Sequence, residues 1–270
     1  MTRYAELAVT TNFSFLRGAS HPGEMVVAAE ALGLSALAIT DRNSFAGVVR
    51  AFDEWKKRKA LKLIVGVRLV TIDGQEILAY PTDREAYARL CRLLTMGRRK
   101  VPHKEHTDCR LTFEDIIAAA DGQIFIALPP EDLTPDFAAR LESLARTAPG
   151  RSFLASLHGY RGDEPRRLGT LDALGRRTGT PLVAVNDVHY HTPERRALAD
   201  VVTCIREKCT IHEAGFRLAA NAERHLKPPA EMARLFAAFP DAIARTIEIA
   251  DACRFSLDHL KNEYPDEPVP

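Results

Sequence analysis

The stretch Ala36-Leu-Ala-Ile-Thr-Asp-Arg-Asn-Ser-Phe-Ala-Gly-Val-Val-Arg50 carries the pattern that decides the fold. It opens with a short apolar run, residues 36–40, that predicts a buried strand. Asp41 follows, and Asp before Arg-Asn-Ser is typical of a tight junction between a strand and a helix. Over residues 45–59 the apolar side chains recur at three- and four-residue spacing, which predicts a helix. The stretch is therefore one strand–helix unit.

The same unit recurs along the chain until about residue 193. The predicted strands are 6–10, 36–40, 63–71, 76–80, 123–128, 152–157 and 182–186. The predicted helices between them include 45–59, 84–94, 113–120, 135–147 and 164–178, and a first helix opens at Ser20 and Pro22 and closes at Gly33. Strands that alternate with helices predict a parallel sheet covered by crossover helices. Seven repeats favour an α/β fold of the closed (β/α)7 barrel type, and a doubly wound open sheet is the alternative.

The pattern changes after residue 193. Helical periodicity continues at 194–208, 229–239 and 241–253, without further strands. The last residues are rich in Pro and acidic side chains and cannot continue a helix. We therefore expect a barrel over 1–192, a helical extension over 193–256 and a linker over 257–270.

Composition excludes several classes of protein. With 270 residues, 46% hydrophobic and 27% charged, the chain is neither disordered nor collagen-like nor a coiled coil. A net charge of +1 gives no bulk field for nucleic acid or membranes, so the Arg pairs at 98–99, 166–167, 176–177 and 195–196 are interpreted as solvated helix faces. Neither a signal peptide nor an 18-residue apolar span is present, and five widely spaced cysteines argue against disulfides and thiolate zinc sites. We expect a cytoplasmic protein.

Polar residues at the carboxyl ends of strands are the candidates for chemistry, because barrels of this kind place their functional groups there. In Asp187-Val188-His189 the alternation of an extended chain puts the carboxylate and the imidazole on one face. The pair suits two ligands of one metal ion or an acid–base pair, and a hydrogen-bonded polar cluster is the equal alternative. Phosphate-binding glycine loops, Gly-x-Ser-x-Gly elbows and His-Glu-x-x-His helices are absent from the sequence.

Several sequence blocks, in order from about Tyr4 to Pro270, resemble the N-terminal region of bacterial error-prone C-family DNA polymerases. That region is a PHP (polymerase and histidinol phosphatase) domain. The blocks are Thr11-Asn-Phe-Ser-Phe-Leu-Arg-Gly-Ala-Ser, Ile39-Thr-Asp-Arg-Asn-Ser-Phe-Ala-Gly, Asn186-Asp-Val-His-Tyr-His, Phe255-Ser-Leu-Asp-His-Leu and Glu263-Tyr-Pro-Asp-Glu. The resemblance implies a distorted seven-stranded barrel with a metal centre at the carboxyl ends of the strands.

The resemblance also implies that this metal centre is degenerate here. The positions at which the family has metal ligands hold Ala8, Thr10, Arg42, Arg68 and Ser156, and less securely Gly74 and Pro129. Asp187 and His189 match the family and are interpreted as the remnant of a divalent-metal site. No resident cofactor is expected. Arg42 and Arg68 carry permanent charge, and a guanidinium paired with Asp41 or Asp187 would replace the charge of the metal.

The resulting hypothesis is the PHP module of an error-prone, DNA-damage-induced translesion polymerase. The module would be catalytically silent and a scaffold for polymerase domains on the same or a separate polypeptide, since the polymerase aspartates are absent. It would reach DNA through those domains, with other mutagenesis or replication proteins as further partners. The alternative is a metal-dependent phosphoesterase or 3′–5′ exonuclease that uses Asp187, His189 and either His158 or His191. A separate nucleic-acid-binding module ranks lowest.

Overall fold

The computed structural model describes residues 2–101 and 109–260. Within these ranges the strands are β1 (Ala5–Val9), β2 (Ala36–Ile39), β3 (Lys62–Val65), β4 (Val67–Val70), β5 (Glu76–Pro81), β6 (Gln123–Ala127), β7 (Ser152–Ser156) and β8 (Leu182–Ala184). The helices are α1 (Pro22–Ala31), α2 (Ala46–Arg58), α3 (Arg84–Arg99), α4 (Phe113–Ala118), α5 (Pro135–Thr147), α6 (Glu164–Thr178), α7 (Arg196–Glu207), α8 (Pro229–Leu235) and α9 (Pro240–Ala252). Each predicted strand and helix in these ranges has a counterpart.

The third predicted strand is divided in two, which raises the number of strands in the described chain to eight. The division falls at Gly66, between β3 and β4. A Cβ atom at Gly66 would stand 2.8 Å from the Tyr80 ring and 2.9 Å from Cγ2 of Thr40. Glycine therefore permits a close approach of β3 and β5 at the point where the chain leaves one sheet for the next.

The strands form two sheets, ordered β1-β2-β3 and β4-β5-β6-β7-β8, so the closed seven-stranded barrel is not confirmed. The sheets meet at isolated parallel bridges between Val9 and Val188 and between Arg42 and Arg68. The prediction of an all-parallel sheet is wrong at β5, which is antiparallel to both β4 and β6. The physical reason is the connection between β4 and β5, residues 71–75, which is far shorter than a parallel crossover requires.

The core has two layers, because successive strand residues point to opposite faces. On β2, Leu37 and Ile39 belong to the larger layer beneath the covering helices. Ala36 and Ala38 belong to the smaller inner layer, which also holds Tyr80. Small residues on the inner face leave room for the strands to curve around this larger side chain.

The last helix, α9, packs across the amino-terminal ends of β1 and β8. Ile249 and Ala250 enter the inner layer of the core. The hydroxyl of Thr246 accepts a hydrogen bond from Ala5 N at 3.2 Å, and Arg245 donates to Leu182 O at 2.8 Å. With this end of the sheets covered, the carboxyl ends of the strands remain for a site. Of the predicted linker, residues 261–270 lie outside the described chain.

Within residues 2–101 and 109–260, no helix combines the length and the apolar sequence that crossing a bilayer requires.

Candidate functional site

A cleft of about 690 Å³ opens at the carboxyl ends of β6, β7 and β8. Its lining includes Pro129, His158, Asn186 and Asp187, each of which follows one of these strands. Another side of the cleft is lined by Gly74, in the turn between β4 and β5, and by Glu76, the first residue of β5. Of the predicted site residues, Gly74, Pro129, His158 and Asp187 therefore share one concave surface.

Asp187 lies at the base of this cleft and is bound by two arginines. Its Oδ1 accepts a short hydrogen bond from Nη2 of Arg68, and its Oδ2 accepts one from Nη2 of Arg224. Arg224 also donates through Nε to the Asp187 carbonyl at 3.0 Å. The Asp187 side chain is 9% exposed and that of Arg68 7% exposed. Both carboxylate oxygens are therefore engaged by guanidinium groups in a largely dehydrated place.

The charge cluster continues from Arg68 to a second carboxylate. Arg68 donates through Nη1 to Glu76 Oε2 at 2.7 Å, and Nη1 of Arg42 lies 3.5 Å from Glu76 Oε1. The order along the cluster is thus Arg42, Glu76, Arg68, Asp187 and Arg224, with alternating signs. Three guanidiniums against two carboxylates leave one positive charge in excess. We call these five residues the arginine cluster.

Within the arginine cluster, the ionisation of Asp187 and that of Arg68 depend on each other. Burial opposes the charge of Asp187, but Arg224 and Arg68 outweigh it and hold the pKa of that carboxyl well below its usual range. Burial also opposes the charge of Arg68, and Asp187 and Glu76 outweigh it and raise the pKa of Arg68. Each group is therefore charged near neutral pH because its neighbours are.

The His189 side chain lies beside the cluster, and its backbone N donates to Arg224 O at 2.9 Å. Its Nε2 is 3.9 Å from Oδ1 of Asp187. Burial first and the charge of Arg224 second lower the pKa of His189 well below the usual value. The imidazole is consequently neutral at physiological pH. It does not form an ion pair with Asp187.

Asp41, at the end of β2, is buried among neutral donors. Its Oδ1 accepts hydrogen bonds from Thr11 N at 2.9 Å and Ser14 Oγ at 2.7 Å, and Thr11 Oγ1 lies 2.9 Å from Oδ2. A Cβ at Gly47 would stand 2.2 Å from Oδ2, so the start of α2 packs directly on this carboxylate. Burial outweighs the hydrogen bonds and raises the pKa of Asp41. The prediction that Asp41 tightens a strand–helix junction agrees with these contacts.

Glu6 is a third buried carboxylate at this edge of the sheets, on β1. It accepts hydrogen bonds from Tyr4 Oη at 2.7 Å, Ala8 N at 2.9 Å and Asn186 N at 3.1 Å. Burial raises the pKa of Glu6 to about 7, although these hydrogen bonds act in the opposite direction. Glu6 thereby links β1 to the segment that carries Asp187.

The remaining predicted positions are also placed by the structure. Ala8, Thr10 and Ser156 are buried at the strand ends, and Ser156 donates to Val183 O at 3.0 Å. The two histidines of the alternative hypothesis are separated. His158 lines the cleft with Asp187, whereas Nδ1 of His191 lies 2.7 Å from Ser20 Oγ.

Three residues of this region were missed by sequence reasoning. Arg224 belongs to an irregular segment that carries no periodic pattern, and it reaches Asp187 across 37 residues of chain. Glu76 and Glu6 stand at polar positions of predicted strands and look like ordinary strand residues. A carboxylate flanked by apolar residues in a strand, as in Tyr4-Ala-Glu-Leu, is the one local signal that could have pointed to Glu6.

The donors at this site do not fit a divalent-metal centre. Three or more His, Cys, Asp or Glu side chains arranged around one point are not found within residues 2–101 and 109–260. A catalytic zinc ion takes three protein ligands. Both carboxylate oxygens of Asp187 are already hydrogen-bonded to arginines, so of the predicted ligand pair His189 remains as a single donor. A cation would have to displace a buried guanidinium before it could bind Asp187.

Comparison with known proteins agrees with the α/β fold. The model of the PHP domain family matches residues 6–151. Error-prone DNA polymerases of Caulobacter vibrioides and Bradyrhizobium diazoefficiens are 52% and 51% identical over 99% of this chain. The error-prone DNA polymerase of Brucella abortus is 47% identical over 100% of it. The chain spans about a quarter of the length of these relatives, between 24% and 25%.

Two solved structures share the fold at low sequence identity. A Bifidobacterium adolescentis protein assigned as a metal-dependent phosphoesterase aligns with a TM-score of 0.54 at 16% identity, over 69% of this chain and 88% of its own. An amidohydrolase from Chromobacterium violaceum aligns with a TM-score of 0.52 at 15% identity, over 69% and 87%. The family match covers more than half of the chain, and the polymerase similarity covers nearly all of it. The chain belongs to the PHP domain family and is similar over nearly its whole length to error-prone DNA polymerases.

Proposed function

We propose that this chain is the PHP module of an error-prone DNA polymerase, that its own strand-end site is catalytically silent, and that it is a scaffold for the polymerase domains. The single observation that carries the proposal is the engagement of both Asp187 oxygens by Arg68 and Arg224. A carboxylate in that state is neither a metal ligand nor a general base. Its pKa lies too low for it to accept a proton near neutral pH.

The arginine cluster supplies the structural function of a metal centre without the metal. Arg68, on β4, connects the start of β5 to the segment after β8, through Glu76 and Asp187. Arg224 attaches the segment between α7 and α8 to the same carboxylate. Buried guanidinium–carboxylate contacts of this kind are strong and directional. They hold the two ends of the five-stranded sheet and the helical extension in one arrangement.

The catalytic part of the proposal is tested by metal content and hydrolysis. We expect the purified chain, after exposure to Mn²⁺ or Zn²⁺ and gel filtration, to retain well below one metal ion per molecule. It should release no phosphate from p-nitrophenyl phosphate and no nucleotide from single-stranded DNA. One equivalent of metal together with turnover would establish the phosphoesterase or exonuclease alternative and overturn the proposal.

A matched variant shows whether the arginines are the reason that the site does not retain a metal ion. The resemblance aligns Thr40-Asp41-Arg42 with a family Thr-Asp-His and Gly66-Val67-Arg68 with a family Gly-x-Glu, so Arg42→His with Arg68→Glu restores the implied ligand types. We expect the double variant to retain more Mn²⁺ than the parent chain, because two positive charges are removed and two donors are added. Circular dichroism verifies that the variant is folded.

The scaffold part is tested in a chimera in which this chain replaces the matched region of the Caulobacter vibrioides polymerase. We expect the chimera to extend a primed template. The same polymerase with the matched region deleted should be insoluble or inactive. An active deletion protein would contradict the scaffold function.

A further inference from the structure

Helix α7 presents an apolar stripe that the rest of the described chain leaves uncovered. Leu198, Val201 and Ile205 recur at the spacing that normally faces a protein core. Their side chains are nevertheless 42%, 51% and 58% exposed. Within this helix, which the structure describes in full, only Cys204 is buried. The amphipathic pattern is present, but no surface among residues 2–101 and 109–260 covers it.

The segment after α7 extends the stripe into a groove. Val201 and Ile205 line a cavity of about 360 Å³ together with Cys209 and Ile211. Ile211 is 47% exposed, and Phe216 on the following turn is fully exposed. Scattered single apolar residues are normal on a protein surface, whereas a stripe continuous with an apolar groove indicates a binding surface. We call Leu198, Val201, Ile205 and Ile211 the α7 patch.

We propose that the α7 patch is the surface on which the remaining part of the error-prone DNA polymerase polypeptide docks, through an apolar element of its own. This inference rests on the proposed function. The relatives match this chain over 99% of its residues, yet the match covers only 24% of their own length. About three quarters of such a polypeptide lies outside the matched region and is available to supply the apolar element.

The chemistry of the groove favours a protein partner over DNA. Its charged lining residues are Lys208 and Glu213, whose charges cancel. Nucleic-acid sites gain most of their affinity from several cations placed against phosphates, which this groove does not offer. An apolar helix face laid into an apolar groove is a common mode of protein recognition.

Cys209 provides a direct test, because its half-buried thiol lies inside the groove. Cys91 is equally half-buried but lines a separate cavity beside Met96, which makes it an internal reference. We compare iodoacetamide labelling of both thiols, by peptide mass spectrometry, in the isolated chain and in the Caulobacter vibrioides chimera. Labelling of Cys209 should slow about tenfold or more in the chimera, with Cys91 unchanged.

Variants of the patch give an independent measurement. Val201→Glu with Ile205→Glu should leave the melting temperature of the isolated chain unchanged, because these side chains are exposed there. In the chimera the same change should lower the melting temperature and restore fast labelling of Cys209. Val49→Glu is the matched control, since Val49 is 56% exposed on α2 and lies outside the patch. It should have no effect in either protein.

Equal labelling of Cys209 in both proteins, with a neutral double variant, overturns the inference. The proposed function would still stand if that chimera extended a primer and held no metal, so the two failures can be distinguished. Protection of Cys209 that grows with the concentration of the isolated chain would show a second copy on the patch and also overturn the inference. Protection of Cys209 by single-stranded DNA added to the isolated chain would also overturn the inference, because it would show that the patch binds nucleic acid.

Discussion

Two aspartates, one on either side of β1, are buried at the carboxyl ends of strands but are stabilised by opposite means. Asp41, after β2, accepts its hydrogen bonds from the neutral groups of Thr11 and Ser14. Asp187, after β8, binds two guanidiniums. Burial raises the pKa of Asp41, whereas arginine charges lower that of Asp187 in spite of burial.

The difference shows which of the two sites depends on charge. Neutral donors can satisfy a carboxyl group in either protonation state, so the Asp41 site tolerates loss of its charge. Asp187 compensates two positive charges, one of them on the buried Arg68, and its loss would leave that guanidinium short of a partner. The experiments below test this asymmetry, beginning with the largest expected effect.

Asp187→Asn should destabilise the fold by about 3 kcal/mol, because it removes the counter-charge of a buried arginine. Asparagine keeps the side-chain shape, and it tolerates the left-handed backbone of this position, where φ is +47°. Urea unfolding at pH 7 measures the change. Asp172→Asn, which breaks the ion pair with the exposed Arg176, is the control and should cost less than about 0.5 kcal/mol. Equal costs for the two variants would contradict the charge-dependent role of Asp187.

Glu6→Gln should alter how stability depends on pH. The pKa of Glu6 is raised from 4.5 to about 7 in the folded chain, so the folded state binds the proton more tightly than the unfolded state. The resulting stabilisation is fully present below pH 4.5 and is lost as pH rises through 7, by about 3 kcal/mol in total. Glutamine mimics the protonated carboxyl and should remove this slope. Parallel unfolding profiles for parent and variant between pH 4.5 and 8 would show that Glu6 does not titrate there.

The sequence was sufficient to predict most elements of the fold, because each strand–helix unit is a local pattern. The predicted strand 63–71 was the exception, because the structure divides it at Gly66. The division depends on the close approach of Tyr80, a residue of another strand. The antiparallel direction of β5 also depends on the length of a turn and not on residue periodicity. Pairing direction is a property of two segments, and single-segment patterns do not contain it.

The site was predictable only where its residues adjoin strand ends. Asp187, His189 and Arg68 follow or lie within predicted strands, so their convergence could be expected. The contribution of Arg224 could not be expected, because this residue comes from an irregular segment whose position is set by tertiary packing. The ionisation of the cluster was equally inaccessible, since the pKa of Asp187 depends on Arg224 more than on any neighbour in sequence.

Arg68→Lys should cost about 2 kcal/mol, less than loss of Asp187, because the positive charge remains. Arg68 reaches Glu76 and Asp187 with two different nitrogens of one planar group. A single ammonium cannot occupy both places. Unfolding of Arg68→Lys, Asp187→Asn and the double variant forms a cycle, and we expect the double variant to be much less destabilised than the sum. Additive effects would show that the two residues are not coupled.

Asp41→Asn should have the smallest effect on the free energy of unfolding, about 1 kcal/mol or less at pH 7. The pH dependence of this effect should be opposite in sign to that of Asp187→Asn. Because burial raises the pKa of Asp41, its contribution is greatest below the pKa of the unfolded state and falls as pH rises. That of Asp187 is present above the unfolded pKa and is lost as pH falls, since its folded pKa is lowered. Subtracting each variant's unfolding free energy from the parent's between pH 3 and 7 should therefore give a falling curve for Asp41 and a rising one for Asp187. Two rising curves would mean that folding favours the charged form of Asp41 as well, and the distinction between the two strand ends would disappear.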